Sequence, residues 1–440
     1  MSPNNKIIKI IGAGLAGSEA ALQCAEMGYE VEFFEMRPSV QTPVHESGDC
    51  AELVCSNSFK SMQETTAGGL LKKELQLLGS KLLPLAYQCQ VDAGTALAVD
   101  RVKFRRLVTE KISSQANIKL HRKEMTELDD SPTIVATGPL TSQALTGHLL
   151  SIIGSQHLYF FDAIAPIISA DSINMDIVFS KSRYDKTDAH YLNCPFEKDE
   201  YYRFVHALQA GEKYQSHEFE DRFFQSVDFK FYENCIPIEE LAKRGEDTLR
   251  FGVMRPVGLE DPNTGRRPYA VIQLRAENTN ASAYNLVGCQ TMLRYPEQKR
   301  VFRLIPGLEK VEFLRLGSIH RNTYLNAPEI LDETLALKTM PNIRIAGQLS
   351  GLEGYVESIL GGLLAAKLTT GSLPMLPETT ISGQLWRHLI TQKKNFQPMN
   401  ANFGLLPPLE VRIRDKKEKK KRLSERSLKD LESLSAFECS

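Results

Sequence analysis

The sequence predicts an α/β fold in which a parallel nucleotide-binding sheet is interrupted by a second unit of the α+β type. Three observations support this prediction. The strand-like run KIIKIIG passes through a glycine turn into an Ala/Leu-rich stretch, and a second run, YEVEFFEM, follows it. Two later runs, TIVATG and NIRIAG, also end in glycine. Between them, residues 191–309 are rich in aromatics, charges and turn pairs such as EDPNTGRRP, which indicates an inserted domain.

The glycine turn GAGLAG, between the first strand and the first helix, has the spacing of a dinucleotide-binding turn in a Rossmann-like domain. Gly12 permits the tight turn, Gly14 lets backbone amides approach a pyrophosphate, and Gly17 allows the helix to pack closely on the strand. Glu35 ends the second strand, where its carboxylate can accept hydrogen bonds from both ribose hydroxyls of an adenosine. Strand, turn, helix, strand and acid in this order predict an adenine dinucleotide site.

The two later strand ends help to decide between FAD and NAD. One strand ends at Gly138, and the other leads through Gly347, Gly351 and Gly354 into a small-residue helix that runs to Lys367. Such strand ends can face phosphates or a flavin, and two of them in addition to the turn are typical of large flavoproteins of the glutathione-reductase type. A nicotinamide dehydrogenase does not need them, so the sequence favours FAD.

The glycine-ended strands and the inserted region between them divide the chain into four predicted parts. Residues 1–190 form the first part of the FAD-binding domain, 191–309 the insertion domain, and 310–410 the second part of the FAD-binding domain. Residues 411–440 form a basic C-terminal tail of low complexity.

Composition places the chain among ordinary globular proteins, with 440 residues, 42% of them hydrophobic and 24% charged. The first residues lack the features of a signal peptide, and no stretch approaches 18 uninterrupted apolar residues, so we expect a cytoplasmic protein without a membrane span. The eight cysteines contain no C-x-x-C pair, which argues against a zinc ribbon and a dithiol redox motif. No metal site is predicted.

The formal net charge of −1 hides a basic run, RIRDKKEKKKR, from Arg412 to Arg422. This run permits a nucleic acid partner, and a solvated mobile tail without a specific partner is the alternative. Basic pieces of the inserted region are interleaved with Tyr269, Tyr284 and Tyr295. Phosphate contacts with aromatic stacking are what RNA recognition uses, although surface ion pairs explain these pieces equally well.

Two cysteines and one histidine are candidates for chemistry. Cys55 lies in AELVCSNSFKS, and Cys235 lies in FYENCIPIEELA just before a predicted helix, where a thiolate is stabilised and can attack C6 of a pyrimidine. His320, in GSIHRNTY, could stack on a flat ligand or shuttle a proton, and a structural role is its alternative. The alternative for any cysteine is a buried small hydrophobe, the class expected for Cys24, Cys89 and Cys439.

Several longer motifs resemble one family closely. They are EMRP, AELVCSNSFKS, AIAPI, LNCPF, CIPIE, RPVGLEDPNTGRRPYAVIQLR, NLVG, EQKRVFRLIPGLE, HRNTY, GLEGYVES and NANFGLLPPL. Together they extend from the glycine turn to about Pro408, and the family is that of the folate- and FAD-dependent tRNA (uracil-5-)-methyltransferases.

The resemblance implies that a methylene group passes from 5,10-methylenetetrahydrofolate to C5 of a uridine in the tRNA T-loop and is reduced to methyl by reduced FAD, which gives 5-methyluridine. NAD(P)H would re-reduce the flavin. Cys235 of CIPIE and Cys55 of LVCSNS would be the catalytic thiols, one attacking C6 and the other assisting at C5 or with the proton. His320 of HRNTY would pack against the folate pterin, Tyr355 of EGYVES would line the same pocket, and the flavin would lie against the helix that begins near Gly351.

The chain departs from the family pattern at Asn234, where glycine is expected, at Cys289, where phenylalanine is usual, and in the length of the basic tail. Some relatives modify a ribosomal RNA uridine, so ribosomal RNA is an alternative substrate, and no DNA partner is expected. A folate-dependent flavin oxidoreductase acting on a small molecule and a non-catalytic RNA-binding flavoprotein are further alternatives. A related branch modifies wobble uridines with a partner GTPase, but its C-terminal helical domain has no room here.

Overall fold

The computed structural model describes residues 7–42, 44–154, 157–163, 165–185, 191–214, 236–278, 280–317, 319–371, 373–393 and 396–438. The strands are β1 Ile7–Ile11, β2 Glu30–Glu35, β3 Ser58–Ser61, β4 Gln90–Val91, β5 Ala96–Val99, β6 Ile118–Arg122, β7 Thr133–Val135, β8 His157–Ala163, β9 Ile167–Ser169, β10 Phe179–Ser180, β11 Tyr191–Phe196, β12 Ala270–Ala276, β13 Ala283–Leu286, β14 Phe313–Arg315, β15 Ile319–Leu325, β16 Ala336–Leu337 and β17 Met340–Ile345. The helices are α1 Leu15–Glu26, α2 Ala67–Leu77, α3 Leu82–Gln88, α4 Arg101–Ser113, α5 Gln143–Ile153, α6 Lys198–Ala210, α7 Ile238–Lys243, α8 Thr248–Phe251, α9 Tyr295–Phe302, α10 Ala327–Ile330, α11 Tyr355–Thr370, α12 Ile381–Ile390 and α13 Lys416–Glu438.

The first sheet has six strands in the order β16-β17-β7-β1-β2-β6. All of its pairs are parallel except β16 with β17, so the strands β17, β7, β1 and β2 end at the same edge. Backbone hydrogen bonds continue just past these ends, from Gly12 to Phe34, from Ala136 to Ile11 and from Ala346 to Val135. The predicted Rossmann-like α/β fold is confirmed, and it brings the three glycine-ended strands side by side.

Helices α1 and α11 begin at this edge and pack against each other beside the sheet. Both are buried on nearly every side, which explains why neither sequence alternates clearly between polar and apolar residues. Their close approach depends on Gly362, because a Cβ atom there would lie 2.1 Å from the backbone oxygen of Ala16. The glycine-rich sequence of α11 therefore serves helix packing as well as the loop that precedes it.

A second, antiparallel sheet has the order β10-β11-β12-β13-β9-β14, and it surrounds its own hydrophobic core together with α6, α7 and α9. Strands β11, β12 and β13 lie inside the predicted insertion of residues 191–309, whereas β9 and β10 precede it and β14 follows it. The boundaries of the four predicted parts remain predictions. Within the described residues, no helix is both long enough and apolar enough to cross a lipid bilayer.

The C-terminal segment, which the sequence analysis described as a basic tail with a solvated mobile form as one alternative, is helical over most of its length. Residues 416–438 form α13, which packs against α2 and buries Leu423 and Leu431 in the core of the first unit. The hydroxyl of Ser427 donates a 2.6 Å hydrogen bond to the buried carboxylate of Glu74 on α2. The sequence did not show a clear amphipathic pattern for this helix, because serines alternate with leucines on its buried face.

Candidate functional site

The glycine turn between β1 and α1 folds as its spacing predicts. Gly12 has a φ of +97°, and a Cβ atom there would lie 2.6 Å from the backbone oxygen of Ala136. A Cβ atom at Gly17 would lie 1.8 Å from the backbone oxygen of Gly12, so only glycine fits where helix meets strand. Gly14 differs, because a Cβ atom there would meet nothing within 4 Å. The open side of the turn therefore leaves room for a ligand above the N-terminus of α1.

A cleft of about 1000 Å³, including its open mouth, lies above this turn. Its walls include Gly12, Gly14, Glu35, Gly138 and Tyr355, five of the residues that the sequence analysis singled out. Residues that it did not single out also line the cleft, among them Arg37, Thr42, His45, Thr137 and Gln348.

Glu35 occupies the predicted position at the end of β2, but protein donors already surround its carboxylate. Its Oε2 atom accepts a 2.8 Å hydrogen bond from the backbone amide of Ala13, and its Oε1 atom accepts bonds of 2.9 and 2.8 Å from the backbone N and the Nε of Arg37. Burial raises the pKa of Glu35, yet the hydrogen bonds and the charge of Arg37 outweigh this and hold the pKa below its ordinary value. A ribose hydroxyl that binds this ionised carboxylate must share an oxygen with Arg37.

His45 is a cleft residue that the sequence analysis missed. Its Nδ1 atom lies 2.6 Å from the hydroxyl of Thr42, and burial together with the charge of Arg37 lowers the pKa of His45 to about 4. The imidazole is therefore neutral near pH 7. The sequence did not indicate a role for His45, because a histidine among turn residues belongs to no helical or strand pattern from which its position could be inferred.

The distal strand end forms a loop of glycines that leads into α11. Gly347, Gly351 and Gly354 have φ values of +69°, +98° and +122°. A Cβ atom at Gly354 would lie 2.2 Å from a carboxylate oxygen of Glu357, whose buried side chain folds back over the start of the helix. These glycines shape the loop backbone, and Gln348 is the loop residue that reaches the cleft.

Tyr355, the first residue of α11, connects this loop to the Cys55 segment. Its hydroxyl oxygen accepts two hydrogen bonds, both 3.0 Å long, from the backbone amides of Cys55 and Ser56. The ring also lines the cleft, where Val54 contributes to the same wall. The structure thus places the Cys55 segment at the cleft wall, although Cys55 and Tyr355 are 300 residues apart in the chain.

Two arginines that the sequence analysis did not single out hold the same segment from the other side. Arg101 donates a 3.2 Å hydrogen bond to the backbone oxygen of Leu53 and forms an ion pair of 2.6 Å with Glu277. Arg275, on β12 of the second sheet, donates bonds of 2.8 Å to the side chains of Asn57 and Ser56. Its signal in the sequence was an arginine in a largely apolar strand, AVIQLRA.

Positive charge surrounds Cys55. A negative charge on its thiol would raise the pKa values of Arg101 and Arg315, so both guanidinium groups are near enough to attract a thiolate there. Burial and the charge of Arg101 lower the pKa of Arg315, and the charge of Glu46 offsets this only in part. A half-buried cation beside a second guanidinium group is suited to an anionic or strongly polar ligand.

The cysteines of the described residues differ in exposure. Cys55 is half-buried, while Cys24, Cys50, Cys89, Cys194 and Cys289 are buried. Burial raises the pKa of Cys24 to about 12 and also raises that of Cys289. Cys24 and Cys89 belong to the buried class, as predicted, and the unusual Cys289 packs in the second core.

Four residues named in the sequence analysis lie wholly or partly outside the described residues. Cys235, Asn234 and Cys439 lie outside the described residues, and so does the side chain of His320. The backbone of His320 belongs to β15, which packs against the turns 138–140 and 347–350 beside the cleft. Cys235 and His320 as site residues therefore remain predictions.

The residues present fit an adenine dinucleotide. The turn offers backbone amides at a helix N-terminus for a pyrophosphate, Glu35 offers a carboxylate at the end of β2, and the open space beside Gly14 admits the ligand. The same cleft reaches Tyr355 beside the Cys55 segment, so the reactive end of a long cofactor such as FAD can extend toward this thiol.

Comparisons with known proteins give a consistent picture. A family model described as "Glucose inhibited division protein A" matches residues 7–373. The chain is 50% identical over 433 residues to the methylenetetrahydrofolate–tRNA-(uracil-5-)-methyltransferase TrmFO of Halalkalibacterium halodurans, with 97% of this chain and 98% of the relative covered. It is 47% identical over 438 residues to the protein of the same name from Bacillus subtilis strain 168, with 98% and 99% covered.

Among solved structures, GidA of Aquifex aeolicus is similar with a TM-score of 0.65 and 15% sequence identity. The alignment covers 98% of this chain but 76% of that chain. At this identity the likeness concerns the fold alone.

Proposed function

Because this chain belongs to the family of the folate- and FAD-dependent tRNA (uracil-5-)-methyltransferases, we propose that it converts a uridine in the T-loop of tRNA into 5-methyluridine. The carbon comes from 5,10-methylenetetrahydrofolate, and NAD(P)H supplies the electrons. The two named relatives match this chain over 98% and 99% of their own length, which supports the same activity for it.

The observation that carries the proposal is the attachment of the Cys55 segment to the cleft through Tyr355. A dinucleotide cleft alone is compatible with many oxidoreductases. A half-buried thiol in a segment that is fixed to the cleft wall, near two guanidinium groups, suits nucleophilic attack on an electron-poor carbon.

Bound FAD, once reduced, supplies the reducing equivalents that turn the transferred methylene into methyl. The residues that would hold it are the amides of the glycine turn, Glu35 with Arg37, and the walls at Gly138 and Gln348.

The protein's own contribution is a nucleophile and its support. A cysteine thiolate forms a bond to C6 of uracil, which makes C5 nucleophilic, and the C5 proton must then leave before the thiolate is expelled. Cys55 and Cys235 share these tasks, one attacking C6 and the other assisting at C5 or with the proton. Tyr355, Arg101 and Arg275 keep the Cys55 backbone in one position during these steps.

The proposed function is tested with purified protein, 5,10-methylenetetrahydrofolate, NAD(P)H and transcripts of tRNA or of ribosomal RNA fragments. We expect 5-methyluridine in the T-loop of tRNA, and none in a transcript whose target uridine is replaced by cytidine. Cys55→Ala and Cys235→Ala should each abolish the product but leave FAD binding intact. Failure of both RNAs to react, with FAD bound and reducible, refutes the proposal.

Ribosomal RNA as substrate is the second candidate, and product in the ribosomal fragment alone would select it. Modification of wobble uridines is disfavoured, because the relatives that are 47–50% identical over nearly their whole length are named tRNA-(uracil-5-)-methyltransferases. A small-molecule oxidoreductase predicts instead that NAD(P)H oxidation coupled to folate proceeds without any RNA.

A further inference from the structure

The N-terminal half of α13 and the residues before it carry a dense group of cations. Eight of the eleven residues from 412 to 422 are lysine or arginine, against two acids and one isoleucine. All eight cationic side chains are exposed. Within the part of the chain that the structure describes, Lys421 and Arg422 are the only two of the eight that lie within 4.0 Å of a carboxylate. We call this group, residues 412–422, the basic segment.

The stability of the helix does not explain the basic segment. The N-terminus of a helix carries partial positive charge, so acids stabilise it there and lysines destabilise it, by about 0.3–1 kcal/mol each. Asp415 supplies the favourable contact, because its side chain accepts a hydrogen bond of 2.6 Å from the backbone amide of Glu418. The lysines that follow interact unfavourably with the positive end of the helix dipole. This indicates that they serve to bind an external anion.

Hydrogen bonds attach helix α13 to the rest of the protein, so the side of the helix that carries the cations faces in one direction. Asp430 accepts a 2.6 Å hydrogen bond from the hydroxyl of Thr379, and Ser427 donates one of 2.6 Å to Glu74. Glu74 is buried and also accepts bonds of 2.9 and 2.7 Å from the backbone amides of Ile381 and Ser382 at the start of α12. One buried carboxylate thus joins α2, α12 and α13.

The basic segment lies on the same part of the molecule as Cys55. The hydroxyl of Ser424 donates a 2.6 Å hydrogen bond to the backbone oxygen of Glu64, which follows β3 and is nine residues from Cys55. Because nine extended residues span at most about 30 Å, Glu64 lies no farther than this from Cys55. Lys60 and Lys73, both half-exposed, form ion pairs with Glu357 and Glu64, so the free positive charge on this side comes from the basic segment itself.

We propose that the basic segment binds the phosphate backbone of the RNA whose uridine reaches the cleft. This inference rests on the proposed function for the identity of the RNA. A polyanion with regularly spaced charges matches a row of exposed cations on a fixed helix, six of which have no carboxylate within 4.0 Å among the described residues. The distance limit lets one folded RNA reach both the helix and the cleft. Contacts to phosphates position the RNA without reading its sequence, so the helix contributes affinity and the cleft contributes selectivity.

The test neutralises Lys417 and Lys421, which are one helical turn apart on the exposed side, as Lys417→Gln/Lys421→Gln. The control is Lys111→Gln/Lys119→Gln, which removes two exposed lysines from α4 and β6. RNA affinity is measured by filter binding at several salt concentrations. For the test variant we expect roughly a tenfold or larger loss of affinity at 0.15 M salt and a plot of log K against log salt that is shallower by about 1.8 for two lost phosphate contacts.

Two further readouts separate binding from folding and catalysis. The test variant should nearly keep its melting temperature, because it loses one unfavourable charge in the first helical turn, Lys417, and one exposed ion pair, Lys421 with Glu425, that contributes little stability. It should raise KM for RNA at unchanged kcat. The control variant should match the wild type in every measurement. Unchanged affinity and salt slope in the test variant overturn the proposal, as does binding of the basic segment to anionic lipid vesicles but not to RNA.

Failure of the proposed function would be recognised separately. In that case the wild type forms no 5-methyluridine, whereas its RNA affinity and the salt slopes of the two variants still report on the basic segment.

Discussion

Tyr355→Phe is the perturbation that tests the Cys55 arrangement most directly. It keeps the aromatic ring in the cleft wall but removes the hydroxyl oxygen that accepts the amides of Cys55 and Ser56 at 3.0 Å each. Leaving a buried donor without a partner costs about 1–3 kcal/mol. Because this segment is only partly buried and water can replace one bond, we expect a loss of roughly 2 kcal/mol in the stability of the segment, and a small shift in the melting temperature.

The larger effect should fall on activity. A displacement of about 1 Å of a reacting group costs on the order of a hundredfold in rate. We therefore expect single-turnover formation of 5-methyluridine at saturating tRNA to slow by roughly ten- to a hundredfold. FAD content should stay the same, and the rate of Cys55 alkylation by iodoacetamide, followed by mass spectrometry, should change.

Tyr87→Phe is the matched control. Tyr87 is likewise partly buried, and its hydroxyl has no hydrogen-bond partner among the residues that the structure describes. If Tyr355→Phe leaves both the single-turnover rate and the alkylation rate at the values of Tyr87→Phe, then the hydroxyl does not position Cys55.

Three further predictions follow from contacts elsewhere. Gly17→Ala should destabilise the apoprotein by roughly 3 kcal/mol or more, because its Cβ atom would lie 1.8 Å from a backbone oxygen. Gly14→Ala, by contrast, should keep the melting temperature and weaken FAD binding. Equal melting temperatures for both variants would contradict this prediction. Arg275→Met leaves the buried side-chain oxygen of Asn57 without its donor and should cost about 1–3 kcal/mol in urea unfolding, with an unchanged midpoint as the contrary result. Burial and a neighbouring lysine ammonium lower the pKa of His388 to about 4, so the unfolded chain takes up this proton near pH 6.5 but the folded chain does not. Stability should fall by up to about 1.4 kcal/mol per pH unit between about pH 6.5 and 4, and an identical pH dependence in His388→Gln would show that another group is responsible.

The geometry of the glycine turn could be predicted from the sequence, because its determinants are local. The turn from Gly12 to Gly17 and the acid Glu35 lie within one strand–helix–strand unit, where spacing along the chain sets the geometry. Parallel strands that end in glycine must end at one edge of their sheet, so Gly138 and Gly347 could also be assigned to that edge from their strands alone.

The sequence was misleading for the C-terminal segment. A stripe of leucines and serines, with Leu423, Ser427 and Leu431 buried, does not stand out as amphipathic among so many lysines. The serines become part of a buried surface only because a carboxylate on α2, Glu74, is there to accept a hydrogen bond. That partner is 353 residues away, and no local pattern indicates it.

The sequence by itself determined the dinucleotide turn, the class of the fold and, through its longer motifs, the family. Only the tertiary structure decided how Cys55 is held. Its amide is bonded to Tyr355 from the far end of the chain, and Arg275 of the second sheet reaches its neighbours Ser56 and Asn57. Contacts between residues 200 to 300 positions apart depend on how two separately formed sheets come together, and this packing is set by the sum of many surfaces, which a linear motif does not contain.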